Sequence, residues 1–388
     1  LNASEHFANA ASGSLGNLGI SVGSVKLDLN QMMQSKSDIV STLTGGIDFL
    51  FKKNKITRLQ GTASIIAPGK VKIAAGKDKG DYQAEKIMIA TGSHPSSLPG
   101  ITIDENRIVS STGALSLETL PKKLSVIGAG YIGLELGTVW ARLGAEVEVI
   151  EYLPRILPGM DSEVAKKFMT IAKKQGLRFR LSTAVKSAKL ENTGVALTVT
   201  PADGGAEEVV TADIALVSVG RHPATDGLGL EKLGITMTPR GRIAVDGRFE
   251  TNIEDIFAIG DVVDGPMLAH KAEEDAVAAV EMMAGKAGHV DYDQVPGIVY
   301  TAPEIATLGK SEDALRDSGI DYAKGVFPFS ANSRARAQGH PDGFVKILAC
   351  AKTDKVLGVH IIGHDAGTVI HECATAMAFG ASSEDIAR

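Results

Sequence analysis

The chain has 388 residues, enough for two or three domains with ample burial. Its 40 Lys and Arg against 46 Asp and Glu give a net charge of −6, and no local basic cluster stands out, which argues against nucleic acid as a partner. No apolar run approaches the length of a membrane-spanning helix, so no membrane is expected either. Cys350 and Cys373 lack CxxC or zinc spacing and read as ordinary semi-buried thiols, in keeping with a reducing compartment.

In chain order, residues 1–25 are polar and dotted with glycine, and read as loop. The chain opens on Leu-Asn rather than Met, so its true start is expected upstream and no targeting signal is legible at this end. Between Leu29 and Lys53 the apolar residues Met32, Ile39, Val40, Leu43, Ile47, Leu50 and Phe51 recur at helical spacing; Gly45-Gly46 weakens that helix without ending it. Residues 56–90 change to short alternating segments with turns at Pro68-Gly69 and Gly76 to Gly80, a β-meander closing on Lys86 to Ala90. That strand runs into Ala90-Thr91-Gly92-Ser93, a small-residue turn where backbone can approach a ligand.

The rest is organised around Lys123 to Glu151. The apolar run Leu124 to Ile127 leads into Gly128-Ala129-Gly130-Tyr131-Ile132-Gly133, a helical pattern, a second apolar run (Val147 to Ile150) and an acid, Glu151. Gly128 permits a tight strand-to-helix turn, Gly130 lets backbone approach a pyrophosphate, and Gly133 lets helix pack on strand. The helix start offers unpaired N–H groups and a positive dipole end. Glu151 falls where a carboxylate accepts from a ribose 2′-OH and repels a 2′-phosphate. The stretch therefore predicts NAD rather than NADP.

Asp161 and Ser162 then offer N-caps to a helix with Val164, Phe168 and Ile171 on one face and Gly176 at its end. Strands follow at Leu177 to Leu181 and Lys189 to Thr200, with an apolar run, Ile214 to Val219, closing on Gly220, where a nicotinamide could pass. Residues 251–261 form a further apolar strand ending in Gly260-Asp261, followed by Pro266-Met267-Leu268-Ala269-His270 and a helix from about Lys271 to Ala284. Asp261 could hold a polyol hydroxyl, and that helix start could favour the charge developing on a reduced flavin; it could equally be an Asp in a plain strand-to-helix turn. From Pro296 onward, strands (Ile298 to Thr301, Phe344 to Ala349, Val356 to Ile362) and helices (Ser311 to Ser318, Gly367 to Phe379) suggest an α+β domain. His360, His364 and His371 lack the acid or cysteine that would complete a metal set, so no metal is expected.

Taken in order, ATGS at 90–93, GAGYIG with Glu151, SVGRHP at 218–223, TNIEDIFAIGDVVDGPMLAHKAEE at 251–274 and FPFSANSRA at 327–335 make the chain resemble the dihydrolipoamide dehydrogenases. These are class-I pyridine nucleotide-disulfide oxidoreductases, the FAD- and NAD-dependent E3 components of 2-oxoacid dehydrogenase complexes. The resemblance implies an α/β fold with two Rossmann-like domains, the FAD domain interrupted by the NAD domain, plus a C-terminal α+β dimerisation domain. The expected boundaries are 1–115 and 241–295 for FAD, 116–240 for NAD and 296–388 for the homodimer interface. By the same resemblance Asp261 would bind the FAD ribitol, and the Met267, Leu268, Ala269 and His270 backbone would meet the isoalloxazine. Thr91, Gly92, Ser93 and Ala63 would lie by the FAD ribose and adenine. NAD would rest on Gly128, Ala129, Gly130, Tyr131, Ile132 and Gly133, with Glu151, Val185 and Gly220 completing its site. Glu135, bordering the apolar arc of Ile132, Leu136, Val139 and Leu143, would be a flavin-proximal accessory.

The family's N-terminal GxGxxG, its CxxxxC redox pair and its C-terminal His-Pro…Glu tail are absent. The chain is thus expected to be a fragment, inactive alone, with no catalytic residue of its own. The intact protein would oxidise dihydrolipoamide, carried on a lipoyl domain of a 2-oxoacid dehydrogenase complex, through a redox disulfide and FAD, reducing NAD. A related flavin disulfide reductase or a non-catalytic NAD-binding module are the alternatives. Bacterial cytoplasm is the expected compartment, ahead of the mitochondrial matrix.

Overall fold

The structure, a computed structural model, describes residues 1–388 except for the side chain of Asn17. Its backbone divides into two compact units, Leu1–Met32 with Pro95–Gly220 and Asp293–Arg388, and Met33–His94 with Arg221–Tyr292.

In the first unit, four of the segments read as apolar runs or strands and the unread Ile108–Val109 form a parallel five-stranded sheet. Its order is Ile108–Val109, Ile214–Val217, Lys123–Ile127, Glu146–Ile150, Arg178–Arg180. Ile127 lies opposite both Val217 and Ile150, so the three strand ends come level where the glycine turn begins. Helix Tyr131–Leu143 buries Leu134, Leu136, Trp140 and Leu143. Trp140, only 1% exposed, is the largest of the fully buried side chains. Helix Ser162–Lys174 is capped by Asp161, whose carboxylate accepts the Glu163 and Val164 N–H groups, and it ends before Gly176 at φ +97°. An antiparallel three-stranded layer, Thr183–Leu190, Val195–Pro201 and Glu208–Ala212, turns Val195, Leu197 and Val199 into a core with Ile101, Ile108, Ile127 and Ile150. The C-terminal part is a five-stranded antiparallel sheet: Gly297–Val299, Glu304–Gly309, Val356–Gly363, Phe344–Cys350, Tyr322–Pro328. Helix Ala366–Ala378 covers it with Ala366, Ile370 and Cys373.

The second unit holds the antiparallel meander Thr62–Ala67, Lys70–Ala75, Gly80–Gln83 and the parallel pair Ile87–Ile89 and Ile256–Ala258, which leads to helix Ala269–Met283. Helix Leu29–Lys53 runs unbroken through Gly45-Gly46 and buries none of its side chains.

Three differences from the sequence reading have local causes. Residues 1–25 are not all loop: Asn2–Ala11 is a helix and Ser14–Leu18 a 3-10 turn. Ala3, Ala8, Ala10 and Ala11 are strong helix formers, and the segment packs on helix Tyr131–Leu143; the glycines start only at Gly13. The strand drawn from Lys189 to Thr200 crosses a turn closed by the Glu191 N–H to the Gly194 carbonyl, 2.9 Å, so it is two strands; Glu208–Ala212, unread, is the third of that layer. Residues 221–240 leave the nucleotide-binding stretch drawn as 116–240. Leu230 and Ile235 are buried with Ile65, Ile87 and Ile256 in the second unit's core.

Candidate functional site

Each glycine of the 128–133 turn has a separate steric reason. Gly128 sits at φ +100°, its N–H donates to the Ile150 carbonyl at 2.8 Å, and a Cβ there would run into the Ser218 carbonyl. Gly130, the extended residue before helix Tyr131–Leu143, faces open space: an added Cβ would meet nothing within 4 Å. At Gly133 a Cβ would strike the Gly128 carbonyl and the Ser218 hydroxyl. No side chain caps this helix start, so its first N–H groups are free for an anion.

Glu151 is 7% exposed and held by backbone on all sides. One carboxylate oxygen accepts the Ala129 N–H at 2.7 Å and the other the Leu153 N–H at 2.8 Å. The Ala129 carbonyl in turn accepts from the Leu157 N–H at 2.9 Å. The acid thus ties the glycine turn to the end of the next strand, a role the sequence reading did not give it, and keeps lone pairs for a further donor. The Glu151 carbonyl accepts the Thr183 N–H, 2.9 Å, which sets Val185 two residues further along that strand. Gly220, at φ +115° and open on its Cβ side, accepts the Ser96 N–H at 3.0 Å. Tyr131, Ile132 and Glu135 are half-buried. Burial raises the pKa of the Glu135 carboxyl, against the pull of the Tyr300 N–H that it accepts at 2.8 Å.

In the second unit, Asp261 follows Gly260, which is at φ +71°. Its carboxylate accepts from the Ser93 hydroxyl, and Arg221 donates to the Ser93 hydroxyl and carbonyl, each at 2.7 Å. Thr91 donates to the Ala224 carbonyl at 2.6 Å, and Gly92, at φ +74° with open space on its Cβ side, accepts from the Ala224 N–H at 2.8 Å. Met267, Leu268, Ala269 and His270 lead into helix Ala269–Met283. Its N-cap Leu268 is extended and offers no side-chain cap. Ala63 is exposed on strand Thr62–Ala67, opposite Ile73.

Sequence reasoning missed two buried charge clusters. Lys271 and Asp275 pair on helix Ala269–Met283. In the first unit, Lys346, with no exposed side chain, donates to Asp161 (2.9 and 3.0 Å), Glu163 (3.0 Å) and Glu312 (2.6 Å). Burial would raise the Glu312 carboxyl, but Lys346, Tyr322 and Lys324 hold it at about 2. Burial lowers the His360 imidazole, whose ring nitrogens meet Thr307 and the Lys310 carbonyl. The one available signal was a lysine inside an otherwise apolar strand pattern, Phe344 to Ala349. Among the described residues no His, Cys, Asp or Glu group could hold a metal, and no helix is long and apolar enough to cross a membrane.

The model of the family described as pyridine nucleotide-disulphide oxidoreductase matches residues 2–276, and that of its dimerisation domain matches 295–388. The chain is similar to the mitochondrial dihydrolipoyl dehydrogenase of Pisum sativum, 52% identical over 386 residues, covering 99% of this chain and 77% of the relative. Against the mitochondrial dihydrolipoyl dehydrogenase of Homo sapiens it is 50% identical over 393 residues, covering 100% and 77%. The solved structure of LpdA from Mycobacterium tuberculosis superposes with a TM-score of 0.88 at 25% identity, over 97% of this chain and 83% of that one.

Proposed function

The chain belongs to the pyridine nucleotide-disulphide oxidoreductases and, within them, to the dihydrolipoyl dehydrogenases, and from that premise we propose where its residues hold the two nucleotides. The family's enzymes are NAD-dependent flavoprotein oxidoreductases that oxidise dihydrolipoamide. NAD is assigned to the Gly128–Gly133 turn with Glu151, Val185 and Gly220. FAD is assigned to Asp261 with Ser93, Thr91, Gly92 and the Met267–His270 backbone. When bound, the flavin supplies a two-electron relay between thiol and nicotinamide.

Both turns fit these groups. The open side of Gly130 and the uncapped helix start leave room and N–H donors for a pyrophosphate. Glu151, already oriented by two backbone N–H groups, can accept from a ribose hydroxyl without reorganising. The basic side chain nearest in the backbone pairing, Arg180, is engaged by Glu148 and Glu208, at 3.6 and 2.6 Å, which supports NAD over NADP. Asp261 with its Ser93 donor can hold a polyol hydroxyl, and the uncapped helix at Ala269 favours negative charge on a reduced ring. Gly92 leaves its Cβ side open to a ribose. The dimerisation-domain match, with Val326 and Phe327 about half-exposed on the edge strand Tyr322–Pro328, supports a homodimer. The relatives' reaction points to a lipoyl domain of a 2-oxoacid dehydrogenase complex as partner.

The observation that carries the reading is the doubly hydrogen-bonded Glu151 beneath the glycine turn. Fluorescence titration tests it: NADH should bind at least about tenfold more tightly than NADPH. Equal affinities would remove Glu151 from the site.

A further inference from the structure

Lys271 and Asp275 lie one helical turn apart, with neither side chain exposed and 2.7 Å between Nζ and Oδ2. Burying such a pair is costly, and an apolar pair of the same volume would often be as stable, so stability alone does not account for it. Its hydrogen bonds point to one place. Lys271 donates to the Gly260 carbonyl at 3.0 Å and the Asp264 carbonyl at 3.3 Å, and with Asp275 these use all three ammonium hydrogens. Asp275 accepts the Gly260 N–H at 3.0 Å and the Tyr292 hydroxyl at 2.9 Å. The N–H and the carbonyl of Gly260 are therefore gripped by opposite charges from a single helix. That helix presses on the turn as well: a Cβ on Gly260 would come 3.1 Å from Ala272. Tyr292 closes the assembly, its ring 5.0 Å from the Lys271 ammonium.

Asp261 is the next residue after Gly260, and the helix start at Ala269-His270 immediately precedes Lys271. We propose that Lys271, Asp275 and Tyr292 are positioning residues for FAD. They lock the turn that carries Asp261 to the helix whose N-terminus meets the flavin, so that both arrive in one fixed geometry. The proposal rests on the assignment of Asp261 to FAD made above.

The test uses the wild-type protein, Lys271→Met combined with Asp275→Leu, and Tyr292→Phe. Thermal melting of each FAD-free form is read beside the FAD dissociation constant and the visible circular dichroism of the bound flavin. The double variant strands the Gly260 and Asp264 backbone groups, so it should melt lower than wild type, bind FAD about tenfold or more weakly and change the visible dichroism of the flavin it does bind. Tyr292→Phe, which removes one hydrogen bond and leaves the pair, should weaken FAD about two- to threefold and remains informative if the double variant fails to fold. Wild-type affinity and dichroism in the variants that fold would overturn the positioning role while leaving Asp261 in place. An FAD affinity unchanged by Asp261→Ala would overturn the Asp261 assignment, and the positioning role with it.

Discussion

The two turns assigned to nucleotides under the proposed function are built on opposite physical principles. The 128–133 turn is made by what is missing: two of its glycines stand where a Cβ would collide, and one stands where the space is left open. The Gly260–Asp261 turn is made by what is added, with an ion pair behind it and Ser93 and Arg221 in front. A turn shaped by sterics is intolerant of any added atom, whereas one shaped by charge answers to the polarity of the groups around it. The contrast can be broken by substitution.

The largest effect is expected at Gly133. Gly133→Val would drive side-chain carbon into the Gly128 carbonyl and Ser218, displacing the turn; NADH affinity should fall about 100-fold while the flavin absorbance per protein stays constant. Next is Glu151→Ala, which strands the Ala129 and Leu153 N–H groups and should cost about tenfold in NADH affinity by fluorescence titration. Ser93→Ala, by removing one donor to Asp261, should weaken FAD only about threefold, with NADH affinity unchanged. An effect of Ser93→Ala on NADH as large as that on FAD would show that the two turns do not act separately.

The smallest effect at neutral pH, and the one that separates the styles of construction, is acidity. Charge construction recurs around Lys346. The folded Glu312 carboxyl lies at about 2, below its ordinary 4.5, so its contribution is complete above about pH 4.5 and is lost as pH falls toward 2. His360, lowered by burial, has the same sign from 6.5 downward, because the unfolded chain takes up its proton first. Lys346, raised mainly by Glu312 and Asp161 against its burial, keeps its share below 10.5 and loses it in strong alkali. Urea melts at pH 7, 5 and 3 should show falling stability, with Glu312→Gln flattening the step between pH 5 and 3. An unchanged step would remove Glu312 from the acid response.

What the sequence revealed follows the same division. The glycines, Glu151 and the Asp161 cap were legible because their reasons are local: a turn, a strand end, the first turn of a helix. Helix Leu29–Lys53 was legible from its apolar spacing, but nothing in the spacing says what covers Ile39 or Leu43, both more than half exposed. Asp161 could be read as a cap, whereas its bond to Lys346 could not, since 185 residues separate them. Lys271 and Asp275 stand at the i, i+4 spacing that surface pairs also use, and spacing carries no information about burial. Helix Asn2–Ala11 was lost to the glycines that follow it, and Glu208–Ala212 to a short strand with little apolar pattern.

The Lys346 cluster also bears on what counts as a module. Asp161 and Glu163 come from the stretch matched by the nucleotide-binding family model, and Glu312 and Lys346 from the stretch matched by the dimerisation domain. Asp313 adds two bonds of 2.8 Å to Ser162. Separating these two parts of the first unit would strand four charged groups at once, so neither part melts without taking the other along. Within the first unit the two family-model matches therefore meet in one shared charge cluster, and calorimetry should find that unit melting in a single cooperative transition.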